Sequence, residues 1–271
     1  MESTTIDEAK LFALIYVAGY LKRHGEELRT ANFRTSALAL FRPMVVLGVL
    51  AVLLLLEPDF GSVVVLMATV LGMVFLAGVN LWQFGGLQVG TVVVMAVLIV
   101  SSPYRLERVL SFLNPWANPE TTGYQLVHSL IAIGRGEWFG VGLGSSVEKL
   151  FYLPEAHTDF LFAVLAEELG LIGILIVIAL FMTLVWRAFA IGRRAERLDL
   201  KFSAWLAYGI GLWFGIQALF NMGVNMGVLP TKGLTLPLMS YGGSSVVVMC
   251  MTLAVLLRID VETRAGGVHE E

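Results

Sequence analysis

The sequence has little of what soluble enzymes use for chemistry: one cysteine, four histidines and only 14% charged side chains in 271 residues. The lone Cys250 can form no internal disulfide, and in an apolar run it serves as a small hydrophobe. The histidines at 24, 128, 157 and 269 have no close metal-ligand spacing, so no zinc centre is expected. There is no Gly-x-Ser-x-Gly elbow, no phosphate loop ending in Gly-Lys-Ser/Thr and no His-Glu-x-x-His pair. Gly140-Val141-Gly142-Leu143-Gly144 has the wrong spacing for a dinucleotide loop and no strand-helix unit around it. The formal net charge of -3 says little by itself, and nucleic acid is not expected as a partner.

What is abundant is apolar surface. Hydrophobic side chains make up 57% of the chain and the mean hydropathy is +0.80, beyond an ordinary soluble domain. The apolar residues come in several blocks of span length, near 8–21, 43–56, 60–78, 85–102, 170–191, 203–228 and 240–257. The fold class they predict is all-α, a polytopic membrane helical bundle of about seven transmembrane helices. A β-barrel would alternate apolar and polar residues, and these runs do not.

Between Pro103 and Leu169 the composition turns mixed, with prolines at 103, 115, 119 and 154 and glycines at 134, 136, 140, 142 and 144. A connection of that length is functional or disordered. Its Trp116, Trp138 and amphipathic piece around Leu126 to Ile133 argue for an ordered cap. Cations orient the series: Lys22, Arg23, Arg29, Arg34 and Arg42 fall in one predicted loop, and Arg187, Arg193, Arg194, Arg197 and Lys201 in another. Both loops are expected to be cytoplasmic. Alternation then puts 103–169, the Glu57-Pro58-Asp59 turn and 229–239 outside, and the C-terminus inside. It also leaves the N-terminus outside without a cleavable signal, which predicts that earlier spans are missing.

Three stretches could carry chemistry. Leu153 to Gly170 places Glu155, His157, Asp159, Glu167 and Glu168 at the mouth of an apolar segment. Asp159 is expected to begin a helix, with Phe162, Ala163, Ala166 and Glu167 on its face. Partial desolvation would raise its pKa towards that of a base for a substrate hydroxyl. A carboxylate complementing the helix dipole explains it equally well. His157 reads as a hydrogen-bonded spacer. Glu57 to Ser62 joins two spans tightly, and its acids read either as a plain exposed turn or as intramembrane carboxylates costing about 2.5–3.5 kcal/mol each. Lys10, three residues after Asp7, reads as a paired intramembrane lysine or as one that snorkels to the interface. In Asn221 to Ser245, small residues at 223 and 227 suit close helix packing. Its Gly242-Gly243-Ser244-Ser245 run could present N–H groups to an anion.

Read together, Glu57-Pro58-Asp59-Phe60-Gly61-Ser62, Arg105 to Gln125, Gly140 to Gly144, Leu153 to Gly170 and Asn221 to Ser245 resemble the SEDS family of bacterial shape, elongation, division and sporulation proteins. Lys149, Tyr152, Glu155-Ala156-His157 and Thr231 to Thr235 resemble its division branch more than its elongation branch. The resemblance covers nearly the whole chain, as a single membrane domain over 1–271 lacking N-terminal spans, with 103–169 an extracytoplasmic loop. The usual Pro-Ser-Glu ahead of the lysine reads Thr5-Ile6-Asp7 here.

The resemblance implies a glycosyltransferase of the bacterial inner membrane that polymerises lipid II, the undecaprenyl-diphosphate disaccharide peptide, during septal wall synthesis. It implies a class B penicillin-binding transpeptidase and other division-complex membrane proteins as partners. Asp159 matches the essential acid of the family's Thr-Asp-Phe element. Lys10, Asp59, Gln125, Lys149, His157, Thr158, Glu168, Lys232, Ser240, Gly243 and Ser244 are expected around the substrate. No metal ligands are assigned and no cofactor is firmly implied, although a divalent cation (Mg or Mn) would suit a departing diphosphate, beside Lys149, Lys232, Arg135 or the 240–244 backbone. A flippase for a lipid-linked precursor, with Lys10 and Asp59 on its polar path, and a non-catalytic scaffold for the transpeptidase are the rival readings.

Overall fold

The computed structural model describes residues 2–29, 33–57, 59–230 and 233–268. Ten α-helices and no strands are present among them: α1 (Glu2–Arg29), α2 (Phe33–Leu56), α3 (Phe60–Leu76), α4 (Leu81–Val100), α5 (Pro103–Leu113), α6 (Tyr124–Gly136), α7 (Glu148–Phe151), α8 (Leu161–Arg197), α9 (Lys201–Asn225) and α10 (Gly243–Val268). Five helices, α2, α4, α8, α9 and α10, are long and apolar enough to cross a bilayer. Apolar α3, with 17 residues, falls just short of that length, and α1 carries too many charges for its composition to qualify. The chain is therefore an all-α, multi-pass membrane protein, with five clear spans where the hydropathy pattern predicts about seven.

The cation-rich loops are shorter than expected. Lys22, Arg23 and Arg29 continue α1, Arg34 and Arg42 lie within α2, and Arg187 to Arg197 continue α8. Lysine and arginine are good helix formers, so a helix can run on past its apolar stretch into the polar region. Pro43 is accommodated inside α2.

The chain divides into two compact units: Met1–Val89 with Thr183–Ile216 and Gly243–Glu271, and Gly90–Met182 with Gln217–Gly242. In the first, Lys10 is 3% exposed and donates to Asp7 Oδ1 at 3.0 Å, while the Ser245 hydroxyl donates to Asp7 Oδ2. The ammonium lies 6.0 Å from the centroid of the Trp213 ring. Pairing rather than snorkelling describes Lys10, because an unpaired charge buried there would carry the larger penalty. At the start of α3, the Asp59 carboxylate accepts from Ser62 N at 3.0 Å, the geometry of a helix N-cap. Asp59→Ala is expected to cost about 1 kcal/mol by removing that cap, read as a lower thermal midpoint of the purified protein.

The second unit contains the whole 103–169 segment, and it is ordered. Its core packs Phe162, Ala166, Ile174, Val177 and Phe181 of α8 with Ala218 and Met222 of α9 and Leu236. A second cluster joins Ala132 of α6 to Leu153, Ala156, Phe160 and Ala163. Within this unit α8 is broken. Gly170, at φ 66° and ψ -165°, leaves the helical region altogether. The break frees the carbonyls of Glu167 and Glu168, which accept from Val141 N at 2.9 Å and Gly142 N at 3.1 Å. Beyond it, Leu171 N and Ile172 N donate to the carbonyls of Glu137 and Trp138 at 2.9 and 3.3 Å. The Glu137 to Gly142 stretch is thus a splice for a discontinuous membrane helix, in which protein groups replace the lost helical bonds.

Candidate active site

Asp159 does not begin the helix as predicted. It lies in the 154–160 turn, two residues before α8, with its side chain half-buried. The expected companions Phe162, Ala163, Ala166 and Glu167 are each fully buried on the helix that follows.

What holds Asp159 is its main chain. Three successive carbonyls are gripped by the segment from Asn221 to Tyr241. His157 O accepts from Tyr241 N at 2.8 Å, Thr158 O from Ser240 Oγ at 2.5 Å, and Asp159 O from the side-chain amides of Asn221 and Asn225 at 2.9 and 3.0 Å. The two asparagines are four residues apart and therefore lie on one face of α9. Asn221 gives its other N–H to Leu234 O, and Asn225 gives its own to Asn221 O at 2.9 Å. Asn225 Oδ1 accepts from Ala163 N at 3.2 Å, an amide in the first turn of α8 that is shared with Phe160 O at 3.0 Å. Ser240 Oγ in turn accepts from Leu236 N at 2.8 Å. With its backbone so fixed, the Asp159 carboxylate has a defined position. A Cβ on Gly233 would lie 2.9 Å from Asp159 Oδ2, so only glycine lets the 233 backbone approach that closely.

Neither Asn221 nor Asn225 was assigned a role from the sequence, although two carboxamides at helical spacing in an apolar segment are a readable signal. Asn225→Ala leaves the Asp159 carbonyl with one partner, removes a donor from Asn221 O and leaves Ala163 N only its bond to Phe160 O. The expected cost is about 1–3 kcal/mol, checked by thermal unfolding. Any polymerising activity should fall by more than this stability loss explains, since the turn carrying Asp159 is loosened.

The carboxylates downstream are engaged with cations of the same unit. Glu167, fully buried, accepts from Ser146 Oγ at 2.5 Å and lies 3.5 Å from Arg135 Nη1. Glu168 pairs with Lys149 at 2.7 Å. Those pairs tether residues 146–149 to α8 and neutralise two of the cations considered for the diphosphate. Gln125 is half-buried in the first turn of α6, and the Thr158 hydroxyl donates to Glu155 Oε2 at 2.7 Å. The His157 side chain is exposed. Lys10, Asp59, Gly243 and Ser244 belong to the other unit, the last two exposed where α10 begins. Gly227, expected to pack one helix on another, instead lies past the end of α9 at φ 67°. Lys232 lies outside the described residues, as do Thr231 and Pro58. Among the described residues, no three His, Cys, Asp or Glu side chains gather as a metal site would need.

A family model described as "Cell cycle protein", covering FtsW, RodA and SpoVE, matches residues 7–265. The chain belongs to this family. FtsW/RodA/SpoVE relatives named "Probable peptidoglycan glycosyltransferase FtsW" include that of Nitrosococcus halophilus, 59% identical over 94% of this chain and 65% of its own. Those of Methylococcus capsulatus and Legionella pneumophila are 60% and 55% identical, over 95% and 94% of this chain and 63% and 64% of theirs. The chain thus spans just under two thirds of the length of these curated relatives. Among solved structures it resembles a chain described under "Structural coordination of polymerization and crosslinking by a peptidoglycan synthase complex", with TM-score 0.73, 30% identity, and 95% of this chain and 70% of that one covered. It also resembles the rod shape determining protein RodA of Thermus thermophilus, with TM-score 0.62, 26% identity, and 95% and 65% covered.

Proposed function

We propose that this chain supplies the catalytic portion of an FtsW-type glycosyltransferase that joins lipid II into peptidoglycan strands, with Asp159 as general base. The observation that carries the reading is the fixed turn: three consecutive carbonyls held by α9 and the 234–241 segment present one half-buried carboxylate in a set position. The names of the relatives at 55–60% identity support it.

In the proposed step, Asp159 takes the proton from a sugar hydroxyl of one lipid-linked disaccharide. The oxygen then bonds to the anomeric carbon of the other, whose bond to diphosphate breaks with the electron pair leaving on phosphate. The leaving group departs as a stable anion and needs no protonating acid, so a single carboxylate suffices, unlike the paired carboxylates of glycosidases. N–H groups and cations would stabilise its charge. A divalent cation would serve the same charge.

The surroundings follow from the same reading. Residues 103–169 are extracytoplasmic, the C-terminus is cytoplasmic, and the protein acts at the division septum of the inner membrane beside a transpeptidase that crosslinks its product. A crosslinking partner is supported by the synthase complex that the fold resembles. The buried Lys10–Asp7–Ser245 cluster is the one observation favouring a lipid-precursor transporter instead. Polymerisation of labelled lipid II by the purified protein with its partner, compared between wild type and Asp159→Asn, tests the first reading. Flipping in liposomes without polymerisation would favour the second.

A further inference from the structure

Residues 138–147, Trp-Phe-Gly-Val-Gly-Leu-Gly-Ser-Ser-Val, contain no charged side chain. They also expose apolar ones to an unusual degree: Phe139 is 81%, Leu143 77% and Trp138 67% accessible. Exposed loops of a soluble surface avoid this composition, because large clustered apolar groups in water favour association. Three further features of the loop fit an apolar medium. Its amides at Gly140, Val141 and Gly142 are all taken up by carbonyls, of Gly136, Glu167 and Glu168, so the backbone carries little need for water there. It is tied directly to the start of the apolar half of α8, whose Leu171, Ile172, Leu175, Ile176 and Leu180 are also exposed and continue the same surface. Between loop and helix lies a pocket of about 460 Å³ lined by Ile133, Glu137, Trp138, Leu171 and Ile174, apolar except for one carboxylate at the polar end of the loop.

We propose that the 138–143 loop, with the pocket it borders, is a lipid-contacting surface seated at the boundary between headgroups and acyl chains. Phe139 and Leu143 enter the hydrocarbon, Trp138 lies at the interface where amphipathic rings concentrate, and an acyl chain of a bilayer phospholipid occupies the pocket. The surface is continuous with the membrane-facing side of α8, which is why lipid is its occupant. The break at Gly170 is then not exposed to water: the loop that repairs its hydrogen bonds also covers it with apolar side chains. This inference concerns where the loop lies and stands apart from the chemistry at Asp159.

The lone cysteine makes the test direct. In a Cys250→Ser background, single cysteines are placed at Trp138, Phe139 and Leu143 and labelled with bimane, with Leu175→Cys as the lipid-exposed reference and Glu120→Cys, in an exposed turn, as the aqueous one. The protein is reconstituted in phosphatidylcholine vesicles containing chain-brominated phosphatidylcholine, or in plain vesicles with iodide outside. All substituted side chains are exposed, and each variant is checked for an unchanged thermal midpoint. The expected result is a blue-shifted emission at Phe139 and Leu143, bromolipid quenching close to that at Leu175, and iodide quenching well below that at Glu120. Quenching by iodide but not by bromolipid overturns the proposal in favour of an aqueous loop. Quenching by neither overturns it in favour of a covering protein, a partner helix or a second copy.

Discussion

Asp159→Asn is expected to lower lipid II polymerisation by about 100- to 10,000-fold, the usual contribution of a positioned general base. The substitution is close to isosteric, and the bonds that fix the turn end on the main-chain carbonyls of residues 157–159, which it leaves in place. Thermal stability and lipid II binding should therefore change little while turnover collapses. A carboxamide retains an acceptor oxygen but cannot take up the hydroxyl proton. Near-normal turnover would remove Asp159 from the mechanism, whereas a fall in turnover matched by a fall in stability would assign it a structural role only.

Gly170→Ala should be strongly destabilising. The φ of 66° and ψ of -165° fall in a region open essentially to glycine, and occupying it with a side chain costs about 1–3 kcal/mol. A Cβ there would lie 2.4 Å from Gly140 N and 2.7 Å from Phe139 N, both backbone atoms that cannot step aside without loosening the splice. Each amide or carbonyl orphaned by that movement adds about 1–3 kcal/mol. The expected loss is about 3 kcal/mol or more, measured by the unfolding midpoint in detergent. Gly134→Ala is the control: it sits within α6 with no atom within 4 Å of the new Cβ, and should leave stability unchanged or raise it by about 1 kcal/mol. Equal effects at the two positions would mean that helix propensity, not the break, governs this region.

Much of the architecture was legible because hydropathy is a one-dimensional signal. The apolar blocks at 43–56, 85–102, 203–228 and 240–257 correspond to α2, α4, α9 and α10, and the block starting at Gly170 begins where α8 resumes after its break. The amphipathic piece around Leu126 to Ile133 is α6. Helix ends were less legible, since Lys and Arg mark the edge of the apolar stretch without ending the helix, as Lys22 and Arg23 in α1 illustrate. Asp59 belongs to the residues whose sequence readings stayed open between an exposed turn and an intramembrane acid, and the structure makes its carboxylate the cap of α3.

Sequence alone determined the all-α membrane class and the family, because composition, periodicity and linear motifs carry those directly. Only the tertiary structure decided what positions Asp159 and what repairs α8. Asn221, Asn225 and Ser240 hold carbonyls more than sixty residues away in the chain, and Glu137, Trp138, Val141 and Gly142 supply partners for the backbone groups on either side of Gly170. The physical reason is common to both: backbone groups freed from a helix in an apolar surrounding must find partners, and any segment that folding brings within reach can provide them.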